Sequence, residues 1–350
     1  MVELAKHFHE TGTPTMVSTD DRDGIVQELK RTGVEHRRIP FRQRSAMGVV
    51  RSICSLFGTV RAGGISLVHS HGRWTTLLGG AVCRTVGVPF VHTEHNTFSD
   101  RRAFGKLCGR HVIAVSLGVK RNLVERFGVE AGRITVIHNG AQVEPATASE
   151  CRALREEMRL KDDERIVSII GRISHQKGHI YLVEALPSIV TKHPKLVVLC
   201  VGGVRQTESS LIERLRATAT SLGVGTNVKF VGHRERVAPF IKLSEFTVLP
   251  SVFEGLPTAV IESLLLGRAV VATDVGGTSE VVRHGVNGLL VRPKDRLGLA
   301  KAIRRMLDAP KETRTMGEGG RVFAEKEFSM ENMYAMHRIY YRQILNPKAL

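Results

Sequence analysis

The stretch Ser251–Gly276, SVFEGLPTAVIESLLLGRAVVATDVG, decides how the rest of the chain is read. An apolar strand, Phe246–Pro250, runs up to it, and a second, Ala269–Thr273, leaves it. Between them a loop gives way to an amphipathic helical run, Thr258–Leu266. Pro257 stands where a first helical residue tolerates proline, because its missing N–H would be unpaired there anyway. Glu254 therefore sits in the loop at the mouth of a helix, and Glu262, eight residues on, lies about one turn inside. Gly255 lets a ligand approach the backbone closely. The free N–H groups of the first turn suit a phosphate, yet two acidic side chains would repel a bare one. A ligand carrying both a phosphate and several hydroxyls satisfies both conditions, since carboxylates accept paired hydroxyl hydrogen bonds. Two solvated glutamates at a helix end fit the spacing equally well.

The same alternation of short apolar strands and amphipathic helices extends through the chain. In the first half, strands are expected at Thr15–Thr19, Glu35–Ile39, Ser66–His69, Phe90–Thr93, Val112–Val115 and Thr135–His138. Helices are expected at Ala46–Val60, Trp74–Val86 and Leu117–Phe127. After a polar, charged stretch at Ala146–Asp163, which reads as a linker, strands resume at Arg165–Ile170, Leu196–Val201, Val228–Val231, Phe246–Leu249, Val270–Thr273 and Leu289–Val291. Repeated βα units imply mostly parallel sheets with helices on both faces. With 350 residues, two such domains are expected, at 1–150 and 151–350. The C-terminal helix, 329–345, is expected to cross back onto the first. Val2–His9 reads as a helix with no strand ahead of it, whereas a doubly wound domain normally begins with a strand and a Gly-rich turn.

Composition narrows the function. The formal charge is +17 and the pI about 10.1, which calls for an anionic partner. An acidic membrane face contacted by the basic first domain fits that charge, and so does an acidic lipid-linked acceptor. Aromatic content is only 5%, and no aromatics interleave the arginine clusters, so no specific nucleic-acid partner is expected. No run of 18 apolar residues spans a membrane, and the N-terminus is not a secretory signal. Cys54, Cys83, Cys108, Cys151 and Cys200 are scattered without CxxC spacing and read as reduced core residues of a cytoplasmic protein.

Two further groups of residues lie at expected strand ends, where open α/β sheets bind ligands. Gly171-Arg172-Ile173-Ser174-His175-Gln176-Lys177-Gly178 follows the strand Arg165–Ile170 and precedes a helix. Arg172 offers a planar fork for phosphate oxygens and Lys177 a point charge, which together suit a pyrophosphate. The absence of a GK[ST] run argues against ATP hydrolysis. In the first half, His69-Ser70-His71-Gly72 and Val91-His92-Thr93-Glu94-His95-Asn96 end two successive strands. They lack the scaffold of a zinc site, so His71, His95 and Asn96 read as polar groups facing a ligand, while His69 and His92 pack or bond locally. Ser116 is a lesser candidate at the next strand end. Asp21 and Asp23 have DxD spacing but no second metal ligand, and no metal is expected.

Together these residues resemble the family 4 retaining glycosyltransferases, which have the GT-B fold: two Rossmann-like, doubly wound domains facing a cleft. Glu254, Gly255, Leu256, Pro257 and Glu262 match the E-x7-E signature, GRISHQKG matches the GR-x-x-x-x-KG loop, and Gly276–Glu280 through Gly288–Val291 follows the family pattern. The first half matches more loosely, through HSH, VPFVHTEHN, AVS and VIHNG. The resemblance implies a hexosyl transfer from a nucleoside-diphosphate sugar, UDP or GDP, to a sugar or lipid-linked acceptor, without cofactor or metal. It implies that Arg172 and Lys177 hold the donor diphosphate, that Glu254 meets the sugar hydroxyls and Glu262 the ribose, and that the Gly255 and Leu256 N–H groups face sugar or phosphate. It matches His95 to the histidine facing the reacting sugar. The base is expected against backbone around Gly232-His233-Arg234. The family's first strand and Gly-Gly loop have no counterpart, so an exposed sheet edge or gap and an impaired acceptor site are expected. A GT-B epimerase or phosphorylase, or a truncated basic binding protein, stays open as an alternative. The protein is expected in the cytoplasm or at the inner membrane face.

Overall fold

The computed structural model describes residues 1–20, 23–97 and 109–346, which separate into two compact α/β units. Asp21, Arg101, Arg102, Lys106 and Cys108 lie outside the described residues, and so does the side chain of Asp23, the other member of the DxD pair. The first unit comprises residues 1–115, 119–137 and the C-terminal tail from Glu331; the second comprises 116–118 and 138–330.

The first unit runs α1 (Val2–Glu10), β1 (Met16–Thr19), α2 (Asp23–Thr32), β2 (Glu35–Arg38), α3 (Ala46–Ala62), β3 (Val68–Ser70), α4 (Arg73–Val86), β4 (Phe90–Glu94), β5 (His111–Ala114), α5 (Leu117–Phe127) and β6 (Ile134–Val136). Its strands form two parallel sheets, β1-β2 and β3-β4-β5-β6. Among the described residues no strand pairs with the outer edge of β1 or of β3.

The second unit holds α6 (Ala148–Glu157), β7 (Arg165–Ile170), α7 (His179–Val190), β8 (Leu196–Val201), α8 (Ser210–Ser221), β9 (Val228–Gly232), α9 (Ala238–Leu243) and β10 (Phe246–Leu249). It continues with α10 (Thr258–Leu265), β11 (Val270–Thr273), α11 (Thr278–Val281), β12 (Gly288–Val291), α12 (Arg296–Asp308) and α13 (Pro310–Glu327). The last helix, α14 (Met330–Leu345), clusters almost entirely with the first unit. The six strands of the second unit are all parallel, in the order β12-β11-β10-β7-β8-β9. The chain starts in the middle of the sheet, winds outward to β9, then returns to the other side of β7 and winds outward again. That reversal creates a switch point between β7 and β10, where the following loops leave toward opposite faces and open a crevice.

Strand alternation supplies the two cores that such a sheet needs. On β7, Val167 and Ile169 join one buried cluster while Ile166 and Ile170 join the other; on β8, Leu196, Val198 and Cys200 oppose Val197, Leu199 and Val201. Leu186 and Ile189 of α7 are fully buried against the first face. Truncating either to alanine costs about 2–5 kcal/mol.

Three local expectations change. Ala148–Glu157 is a helix, not a linker: Thr147 accepts a hydrogen bond from the Glu150 N–H, and Glu150 accepts one in return from the Thr147 N–H, closing a capping box. Pro257 is the N-cap of α10 rather than its first residue, because its ψ of 102° is extended. Cys54 is exposed, not part of the core, because it falls on the outer face of α3.

Candidate functional site

The loops after β7 and β10 meet at the switch point of the second sheet and are joined by several bonds. The Val252 N–H donates to the Gln176 carbonyl at 2.8 Å, and the Gln176 amide donates to the Phe253 carbonyl at 3.0 Å. Gly178, the N-cap of α7, has a φ of 67°, and a Cβ there would lie 2.0 Å from the Pro250 carbonyl oxygen. Only glycine permits both that conformation and that approach. Gly276 does the same on the far side: its φ is 57°, and a Cβ would lie 1.9 Å from the Glu254 carbonyl oxygen.

The packing brings Lys177 and Glu254 together, 77 residues apart in sequence. The Lys177 ammonium donates to Glu254 Oε1 at 2.7 Å, with the side chains 17% and 6% exposed. The Ser251 hydroxyl donates to the same oxygen at 2.6 Å. Ser251 is held in turn, since the Thr273 hydroxyl donates to its carbonyl at 2.5 Å. A carboxylate this buried needs such partners, because an unpaired one would cost several kcal/mol. The pair is thus a preorganised acceptor and cation at a place where an open α/β sheet binds ligands.

Arg172, five residues before Lys177, is exposed and makes no hydrogen bond or ion pair among the described residues. It lines a cavity of about 410 Å³ together with Gly171, Gly203, Arg205, His233 and Arg234. Gly232 ends β9 just before His233, and its carbonyl accepts from the Gly202 N–H at 2.8 Å. Three arginines around one cavity make it receptive to anions. Glu262, half-buried in α10, makes no ion pair among the described residues, and burial raises its carboxyl above the ordinary value. Gly255, Leu256 and Pro257 are buried.

Ser116 clusters with this unit: it is fully buried, and its hydroxyl donates to the Gly255 carbonyl at 2.9 Å. A serine with no exposed surface cannot touch an acceptor, so it supports the Glu254 loop instead. Glu280, which the sequence offered only as part of a motif, accepts from the Leu117 and Gly118 N–H groups at 2.8 and 3.0 Å and lies 3.0 Å from His138 Nε2. Nothing in its spacing announces those partners.

In the first unit, the ends of β3 and β4 gather a polar cluster. His71 Nδ1 lies 3.0 Å from His95 Nε2. The His69 ring lies tilted beside that of His71, with centroids 4.1 Å apart, and is bonded on its two nitrogens to Thr93 and to Tyr341 of α14. His92 bonds Thr76 at 2.7 Å. His95 keeps an exposed edge; desolvation of the rest of the ring, then the Met1 ammonium, lowers its pKa to about 4. Glu94 is buried and accepts from Arg73 at 3.0 Å. Burial raises its pKa, but the bonds from His92 and Arg73 together outweigh that and hold it low. It is a structural anion here. Asn96 is half-buried, and its side-chain oxygen accepts from the Thr97 N–H at 2.9 Å. Among the described residues no group of three or more His, Cys, Asp or Glu could hold a metal ion.

Comparison with known proteins gives the family and the fold. The family described as glycosyl transferases group 1 matches residues 152–323, and the one described as glycosyltransferase family 4 matches residues 1–144. A D-inositol 3-phosphate glycosyltransferase 2 of Catenulispora acidiphila is 27% identical, over 100% of this chain and 90% of its own length. An uncharacterized glycosyltransferase of Methanocaldococcus jannaschii, MJ1607, is 28% identical over 69% of this chain and 66% of its own. Among solved structures, a glycosyltransferase of Rickettsia africae superposes with a TM-score of 0.88 at 21% identity, over 98% of this chain and 93% of that one. Anabaena Alr3699/HepE, solved in complex with UDP-glucose, gives 0.87 at 20%, over 98% and 94%. The two family matches span nearly the whole chain, and the fold is shared at both ends of it. The chain belongs to the family 4 glycosyltransferases, with the GT-B fold of two Rossmann-like domains.

Proposed function

We propose that the protein is a retaining, metal-independent hexosyltransferase that takes its sugar from a nucleoside-diphosphate donor and delivers it to a lipid-linked or glycan-precursor acceptor. One observation carries this reading: the buried Lys177–Glu254 pair at the switch point, with Arg172, unpaired among the described residues, beside an arginine-lined cavity. The cations suit the diphosphate and the carboxylates the hydroxyls. Glu254 accepts from the sugar, and Glu262 from the ribose, which relieves its burial without a cation. The base is assigned to the cavity beside His233 and Arg234.

In the reaction, the bond from the anomeric carbon to the diphosphate oxygen breaks while the acceptor hydroxyl attacks the same face. Its proton passes to the departing diphosphate, whose charge Arg172 and Lys177 stabilise in place. No ion other than these side chains is needed to balance that charge. His95 is assigned to the reacting sugar by its place in the family pattern, with His71 and Asn96 on the acceptor side. UDP ranks ahead of GDP because the solved HepE complexes contain UDP and UDP-glucose. The acceptor half is assigned to residues 1–150 and the donor half to 151–350.

Thermal-shift screening against UDP-, GDP- and ADP-sugars tests the donor, since a bound donor at a hundred times its Kd stabilises by about 2.7 kcal/mol. No shift with any of them would remove the donor assignment. Mass analysis of products then separates transfer from an isomerised nucleotide sugar or a sugar phosphate.

A further inference from the structure

The charge of the first unit is not spread evenly. From His36 to Thr93 the chain carries eight arginines and neither an aspartate nor a glutamate in 58 residues. Helix α3 lies inside that run. Its inner face, Gly48, Ser52, Leu56, Thr59 and Val60, is buried, and Leu56 and Val60 pack with Phe41 and Leu78. Its outer face recurs at three- and four-residue spacing through Met47, Val50, Arg51, Cys54 and Arg61, all exposed. Met47 and Val50 are 63% and 53% exposed and stand beside Arg51 on a helix that has a complete inner face. Arg42 and Arg44 stand exposed in the loop just ahead of the Ser45 cap.

None of Arg42, Arg44, Arg51 and Arg61 forms an ion pair among the described residues. In the second unit, by contrast, Arg165, Arg234, Arg236 and Arg305 are each matched by a glutamate. Arg44 and Arg61 lie over the rings of Trp74 and Phe57 at 5.8 and 6.0 Å, which supports their guanidinium groups without neutralising them.

We propose that the outer face of α3, with the loop ahead of it, docks the protein on an anionic phospholipid surface, with Met47 and Val50 entering the headgroup boundary and the arginines lying among the phosphates. Such a face needs apolar side chains flush with cations that can reach outward on flexible stems. The exposed large apolar residues of α3 are not aromatic, so they offer no stacking platform for nucleic-acid bases. The inference goes beyond the donor-site reading and does not rest on it.

The test is co-sedimentation of the full chain with vesicles of phosphatidylglycerol and phosphatidylcholine, against phosphatidylcholine alone, at about 0.1 M salt. Each arginine near an anionic surface is worth about fivefold in partitioning, so R42Q/R51Q/R61Q should weaken binding by about a hundredfold. M47S/V50S should weaken it by about tenfold without changing net charge. R214Q/K301Q/K311Q, three exposed cations of the second unit, removes the same charge elsewhere and should leave binding close to that of the parent. Circular dichroism and the melting-point shift with UDP should be unchanged in all three, which keeps a failure of donor binding distinct from a failure of docking. The proposal is overturned by equal binding to neutral vesicles, or by a second-unit triple variant that loses as much as the α3 one. It is also overturned if M47S/V50S binds like the parent, or if a 20-base-pair DNA duplex is bound where the vesicles are not.

Discussion

Replacing Lys177 by methionine keeps most of the unbranched side chain and removes its charge. The Glu254 carboxylate, 5% exposed, then loses a cation 2.7 Å away and keeps only the Ser251 hydroxyl and its remaining local partners. Breaking a buried pair from one side costs about 3–5 kcal/mol, because the charge left behind is uncompensated. The retained hydroxyl places the expectation near the lower end, about 3 kcal/mol. For a unit of this size each kcal/mol moves the melting point by about 2–4 °C, so a drop of roughly 6–12 °C is expected. E254Q should cost less, about 1 kcal/mol, because the Lys177 ammonium is more exposed and can turn to water. The double variant K177M/E254Q buries no charge at that point, and should be more stable than K177M alone. Urea unfolding of the four proteins, read by circular dichroism, gives the coupling energy, expected at about 2 kcal/mol. If the two single losses add to within about 0.5 kcal/mol, the pair is not coupled and the argument built on its burial is wrong. A turnover assay on K177M would then show only a missing cation, not a dismantled site.

Four further outcomes follow from the same unit. R172Q removes an exposed cation that makes no ion pair among the described residues, so stability should stay within about 0.5 kcal/mol while transfer falls by about a hundredfold or more; equal turnover would take Arg172 out of the mechanism. Burial raises the Glu262 pKa above its ordinary 4.5, so its contribution to stability is present below that value and is lost as pH rises through the folded pKa. E262Q should therefore melt higher than the parent near neutral pH, with the gap closing toward pH 4, yet bind UDP-glucose about tenfold more weakly by calorimetry. G178A, with its Cβ 2.0 Å from the Pro250 oxygen at a φ of 67°, should lose at least about 2 kcal/mol and much of its donor binding; a neutral result would show that the loop can relax. His179 is 2% exposed, its ring nitrogens have no hydrogen-bond partner among the described residues, and burial, then the Lys177 charge, lowers its pKa to about 3. The unfolded chain takes up that proton first, so stability falls between pH 6.5 and 3, and H179L should move the acid-unfolding midpoint downward; coincident acid curves would contradict this.

The strands were legible because their composition leaves them little choice. Arg165–Ile170 and Leu196–Val201 are apolar on both faces, and a strand of that kind must be covered from both sides. All twelve strands expected from the sequence are present, with edges shifted by a residue or two where hydrogen bonding, not hydropathy, sets the end. The misreadings fall where a local cap or an exposed face competes with composition. Ala148–Glu157 is polar enough to pass for a linker until its capping box is counted. Cys54 reads as core from its type and is exposed because of the turn of the helix it occupies. Ser116 looked like a ligand contact because it follows a strand end, but burial gives its hydroxyl to the Gly255 carbonyl.

The sequence by itself determined the parallel α/β class, the strand set, and the residue types of the Glu254 and Arg172–Lys177 loops, because these depend on short-range pattern and turn chemistry. It could not say that the two loops are neighbours. That follows from the strand order β12-β11-β10-β7-β8-β9, which sets β7 against β10 and brings the loops that follow them together at one point. Pairing order is a matter of long-range packing, which no local window encodes. Only the tertiary structure therefore turned two glutamates at a helix mouth into one buried carboxylate held by Lys177 and another left half-buried without an ion-pair partner among the described residues.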